Sequence, residues 1–201
     1  MKSLRSLAVF AALTLVAARP VLAEEPKGSP AIDAEHIFGF TEGTDIGEKG
    51  ELEFENTTVG TFSRPGSPFA VVTNELDARY GLTEAFRASA GVITDYHYIH
   101  GFSDLTDVSR LDFSGLASEF RWAAIPRADA PVGVTLSFAP YWRRIDSTSG
   151  EKYQNGALPL TLLMDRELIP GKLIAAVNAT YAPTFEHVPG GGRTEHNIEL
   201  S

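Results

Sequence analysis

Side chains alternate strictly along residues 131–144: Val132, Val134, Leu136, Phe138, Pro140 and Trp142 fall on one face, and Gly133, Thr135, Ser137, Ala139, Tyr141 and Arg143 on the other. A helix would scatter those apolar side chains around its circumference, so period 2 held over about a dozen residues demands a β-strand. The pattern recurs. In residues 86–98, Phe86, Ala88, Ala90, Val92, Tyr96 and Tyr98 oppose Arg87, Ser89, Gly91, Asp95 and His97, and in residues 70–80, Val72, Leu76, Ala78 and Tyr80 oppose Thr73, Glu75, Asp77 and Arg79. Leu158, Leu160, Leu162 and Met164 oppose Thr161 and Asp165, and Leu173, Ala175, Val177, Ala179 and Tyr181 oppose Asn178 and Thr180. Residues 109–124 begin with Leu111 and Phe113 on the apolar face but end with Leu116, Phe120 and Trp122 there, a change of phase that a bulge near Gly115 would produce. With weaker runs at residues 51–62 and 193–201, the pattern predicts an all-β, antiparallel fold of roughly eight strands.

Strand length selects between two architectures. Runs of about 12 to 15 residues exceed the usual 5 to 6 of globular strands but suit a tilted crossing of a bilayer, so a transmembrane β-barrel is expected ahead of a soluble β-sandwich. Aromatic residues near strand ends agree, because amphipathic rings settle at the headgroup level. Tyr80, Phe86, Phe120 and Trp122 would form an inner girdle, and Tyr96, Tyr98, Trp142 and Tyr181 an outer one. A mean hydropathy of −0.06 is what a barrel would show, since only alternate residues meet lipid.

The N-terminus has the layout of a cleaved secretory signal: Lys2 and Arg5, an apolar stretch over residues 7–18, then Val21, Leu22 and Ala23. That stretch is shorter than the roughly 20 residues a spanning helix requires. Three units follow: a signal peptide over residues 1–23, cleaved near Ala23, a polar periplasmic lead-in over 24–50, and a barrel domain over 51–201. The chain carries a formal charge of −9, and its leader holds Lys2, Arg5 and Arg19 with no acidic residue, so the mature part is more acidic still. Nucleic acid is thereby an unexpected partner. Outer-membrane lipid is the expected one. The connections over 81–85, 125–130 and 167–172 are short, while 99–108, 147–153 and 186–192 are longer or rich in Gly and Ser, which would place the first set in the periplasm.

Seven charged residues fall opposite the apolar faces: Glu75, Asp77, Arg79, Arg87, Asp95, Arg143 and Asp165. Charge cannot face hydrocarbon cheaply, so these are the candidate lumen-lining residues. In a narrow barrel they would pair across strands as a salt-bridged filling; in a wider one they would line a water-filled pore. No catalytic, cofactor-binding or metal assignment follows. His97 and His100 near Asp95 invite a metal or general-base reading, set against a lumen-facing His97 and a solvated His100. The run Gly101, Phe102, Ser103, Asp104, Leu105 lacks the closing glycine of a nucleophile elbow. Asp33, Glu35, Glu42, Asp45 and Glu48 lack the spacing of a calcium loop and read as solvated charge.

The segments HIFGFTEGTDIGEKGE (residues 36–51), ARYGLTEAFRAS (78–89) and LLMDRELIPGKLIAAVNATY (162–181) resemble proteobacterial outer-membrane β-barrel proteins described as porin-like. The likeness covers about residues 35–201 and implies fold and location, without an activity or site to carry over. Related barrels continue with further strands, and residues 193–201 offer only Ile198 and Leu200 outward with no terminal aromatic. The expectation is therefore an incomplete, C-terminally truncated barrel, with self-association as the one route to closure, since an open edge in lipid costs several kcal/mol per unpaired group. The functional expectation is a non-enzymatic outer-membrane protein with passive, porin-like solute passage or a structural role. The alternatives are a soluble periplasmic β-sandwich that binds a ligand and a hydrolase set on the barrel wall.

Overall fold

The computed structural model describes residues 41–62, 68–127, 129–169, 172–188 and 191–201. The expected signal peptide and most of the lead-in lie outside these residues. Ten strands make one antiparallel sheet: β1 (Leu52–Phe62), β2 (Phe69–Thr83), β3 (Phe86–Ile99), β4 (Val108–Ile125), β5 (Gly133–Phe138), β6 (Tyr141–Ile145), β7 (Lys152–Ala157), β8 (Leu160–Ile169), β9 (Leu173–Val188) and β10 (Gly191–Leu200). The all-β, antiparallel expectation holds, and no helix occurs among the described residues.

Ten segments trace eight spans. β5 and β6 are halves of one span, since both pair with β4, and β7 and β8 are halves of another, since both pair with β9. The interruptions fall at residues 139–140 and 158–159, where Pro140 and Pro159 have no N–H to give the ladder. Backbone bonds carry the sheet across this level all the same. Ala139 N–H donates to the Pro159 carbonyl, Ser118 N–H to Pro140, and Leu158 N–H to Pro183, each at 3.0 Å. Three prolines thus lie in a row across adjacent spans. The alternation in residues 131–144 did not reveal the break, because Pro140 keeps the phase of its face while removing a donor.

The phase change in β4 is a bulge. Ile93 pairs with Gly115 and Thr94 with Phe113, leaving Ser114 as the extra residue. It returns Leu116 to the face that Leu111 and Phe113 occupy, and all three are exposed. Gly115 is buried, and a Cβ there would run into the carbonyl oxygen of Trp142 on β6. Gly115→Ala is expected to cost about 1–3 kcal/mol through overpacking. Urea titration of the refolded variant measures this, and an unchanged midpoint would show that β4 and β6 separate freely.

The two faces are chemically inverted relative to a soluble protein. Exposed side chains include Leu76, Tyr80, Phe86, Val92, Leu116, Phe120, Trp122, Leu136, Trp142, Leu160, Val177 and Tyr181, whereas Arg87, Asp95, His97, Arg121, Thr135, Ser137, Asp165 and Asn178 are buried. Apolar residues join that buried set chiefly toward strand ends, as Val71, Ile99, Ile145 and Ile174 do. On the exposed face, Phe86 stacks on Trp122 across β3 and β4, their ring centroids 6.1 Å apart.

Connection lengths differ from expectation. β9 runs to Val188 and pairs directly with Gly191, so the open 186–192 loop is mostly strand. The β4 to β5 link, expected to be short, spans residues 126–132 and holds Arg127 against the enclosed face. Among the described residues β1 pairs with β2 alone and β10 with β9 alone, so each leaves an unpaired edge.

Candidate functional site

The enclosed face is built by the residues that alternate with the apolar ones. All seven charged residues singled out by periodicity lie on it. Arg87, Asp95 and Asp165 are buried, while Glu75, Asp77, Arg79 and Arg143 are half-buried. They do not form one cluster. Arg143 donates to Asp95 at 2.5 Å, and Asp95 also accepts from the Thr73 hydroxyl at 2.6 Å. Arg79 pairs with Glu55 of β1, and Glu75 lies against Asp77 on the same strand. Asp165 meets Arg127 at 3.0 Å, and Arg87 approaches Glu119 at 3.5 Å. Most of these contacts join different strands, as buried charge needs a partner, while Glu75 and Asp77 are neighbours on one strand.

Toward the end carrying the 84–85 turn and residues 126–132, the enclosed face holds a strap made of residues 42–46. Thr44 is its anchor. The Thr44 N–H donates to Asp165 at 2.9 Å, its hydroxyl donates to the other carboxylate oxygen at 2.9 Å, and its carbonyl accepts from the Thr135 hydroxyl at 2.7 Å. Flanking it, Glu42 pairs with Arg121 and Asp45 accepts from Arg127 at 2.6 Å. The Asn178 amide, oriented by its hydrogen bonds, accepts from the Glu42 N–H at 2.7 Å and donates to the Glu42 carbonyl at 3.1 Å. Thr44 and Ile46 are buried. The strap turns into β1 where Gly50 N–H donates to the Gly81 carbonyl at 2.7 Å. A side chain at Gly81 would collide with the Glu48 carbonyl, so only glycine admits the backbone there.

Glu42 and Asp45 therefore differ from the solvated charges expected of them: both are ion-paired to arginines of the enclosed face. Asp33 and Glu35 lie outside the described residues. Arg121, Glu119 and Arg127 complete the network and were not singled out by the sequence. Glu119 and Arg121 were within reach of the same rule, since they alternate with Phe120 and Trp122. Arg127 was not, because it lies in a turn with no period, and the strap has none either.

Beside Glu42 lies a polar cavity of about 180 Å³, whose lining includes Glu119, Ser137, Thr161, Asn178 and Thr180. Near the other end, His97 is fully buried with no hydrogen-bond partner on either ring nitrogen, and the Ser114 hydroxyl is likewise unpartnered. The two do not engage each other, so they form no nucleophile and base pair. Gly150, at φ +73°, packs its backbone over the His97 ring. Asp146 begins that loop. Burial pushes the Asp146 carboxyl up, but hydrogen bonds from the Ser149 N–H and hydroxyl and the Thr148 N–H outweigh it and hold its pKa below the ordinary value.

His100 stands in the 100–107 loop, its Nδ1 3.2 Å from Asp107, away from the enclosed face. Ser103 and Asp104 are turn residues of that same loop, with no strand-to-helix turn beneath them. Among the described residues no group of three or more His, Cys, Asp or Glu side chains is arranged to hold a metal ion.

The fold and its enclosed ionic network define a single-sheet, all-β protein with an apolar exterior. The chain belongs to a family of unknown function (DUF6662), matched over residues 30–190. No curated protein and no solved structure matches it.

Proposed function

We propose that this chain is an outer-membrane β-barrel protein whose polar interior serves porin-like, passive passage of small solutes. One observation carries the reading: the sheet buries arginines and carboxylates while presenting leucine, phenylalanine and tryptophan outward. In water that arrangement leaves apolar area unrecovered and desolvates charge; in lipid both terms change sign. Spans of 14 to 18 residues in β3, β2 and β4 support it, being longer than globular strands. A soluble sandwich would need a second sheet against the apolar face, and the described strands all belong to one sheet. The resemblance to porin-like barrels gives the same direction.

Membrane fractionation tests the reading. The protein is expected to stay in the membrane pellet through salt and carbonate washes and to be released by detergent. Release by carbonate alone would overturn it.

A further inference from the structure

We propose that residues 42–46 are a displaceable strap that closes the interior, so that passage through the protein requires this strap to leave the enclosed face. The inference rests on the membrane-barrel reading and adds its regulation. The strap is not part of the sheet: residues 42–46 pair with no strand and are held by side chains of four of them. Arg121 comes from β4, Thr135 from β5, Asp165 from β8 and Asn178 from β9, with Arg127 from the adjoining turn. One short segment thus bridges much of the sheet, where a continuous strand would touch only its two neighbours.

Its contacts are also of a kind that can be remade. They are ion pairs and hydrogen bonds, and Ile46 is the one large apolar side chain the strap buries. Arg121 keeps Glu119 at 2.7 Å and Arg127 keeps Asp165 at 3.0 Å, so neither arginine loses its last carboxylate when Glu42 and Asp45 depart. Leaving costs no stranded charge on the wall, the condition that makes a second position accessible. The strap's backbone is already continuous with β1 through Gly47 and Gly50, both at positive φ, where the chain can hinge. A polar cavity of about 180 Å³ adjoins the strap at Glu42. With the strap gone, that cavity and the volume of residues 42–46 become one opening.

The chain has no cysteine, so a disulfide placed by design is unique. A Cβ on Gly133 would overlap the Thr44 hydroxyl and crowd Asp165, so Gly133→Cys is combined with Thr44→Cys, which removes that hydroxyl and brings two thiols together, and closure of the bond is checked by loss of free thiol. The full chain carrying this pair is reconstituted in planar lipid bilayers and in liposomes. Oxidised, it is expected to give no conductance above the bare bilayer, and reductant added to the same membrane is expected to restore passage. Glu42→Gln with Asp45→Asn, which loosens the strap without touching the wall, is expected to raise conductance above that of the unaltered protein. Equal conductance before and after reduction, or no rise in the charge-removed variant, would overturn the strap. Detergent partitioning of the liposomes is read in parallel: protein that fails to stay with the lipid contradicts the membrane reading itself, and the strap proposal falls with it.

Discussion

Replacing Asp165 by alanine is expected to destabilise the folded chain by about 3–5 kcal/mol, the cost of stranding a buried charge. Asp165 is 2% exposed, and its two oxygens serve Thr44 N–H, Thr44 hydroxyl and Arg127. Its removal takes one carboxylate from the Arg127 guanidinium and leaves it facing Asp45, on the strap that Asp165 itself anchors. The two losses therefore compound. Asp165→Asn keeps an acceptor for Thr44 and is expected to cost less. Combining Asp165→Ala with Arg127→Met should recover part of the loss, because an absent charge needs no partner. Urea titration of the refolded protein in detergent measures all three. If the double variant were as unstable as the sum of the singles, the pair would not be coupled and the network would be decorative.

The second large effect concerns the opposite face. Leu116 sits at the middle of β4, half exposed, directly beyond the bulge at Ser114. In lipid, Leu116→Arg is expected to cost about 2–4 kcal/mol, the penalty for a cation near the bilayer midplane. In water, the same exposed substitution changes stability by at most about 0.5 kcal/mol. The sign of the environment is thus read from one residue. Reversible unfolding from lipid vesicles gives the number, and a neutral outcome would mean that the β4 outer face is wet.

Much of this architecture was legible because a half-buried strand writes its two faces into alternate positions. Residues 86–98 and 131–144 displayed both faces, and the mismatch between Phe113 and Leu116 located the bulge to within one residue of Ser114. Proline was harder: Pro140 and Pro159 preserve alternation, so their break in the ladder leaves no trace in hydropathy. The network was half legible. Asp95, Arg143 and Asp165 followed from their faces, but a face does not name a partner, and the partners of Asp165 are a turn residue, Arg127, and a strap residue, Thr44. Neither belongs to a periodic segment. The strap escaped because five residues held by side-chain contacts have neither period 2 nor period 3.6, and their acidic character in isolation looks like any solvated lead-in.

An apolar face that meets lipid has a direct spectroscopic signature, and the chain carries its own probes for it. Its two tryptophans, Trp122 and Trp142, both lie on that face, at 43% and 42% exposure, Trp122 beside the 84–85 turn and Trp142 level with Leu116 at the middle of β4. In vesicles made with lipids brominated along the acyl chain, the intrinsic fluorescence is expected to be strongly quenched, and aqueous acrylamide is expected to have little effect. Efficient quenching by acrylamide with none from brominated lipid would place both rings in water and contradict the account.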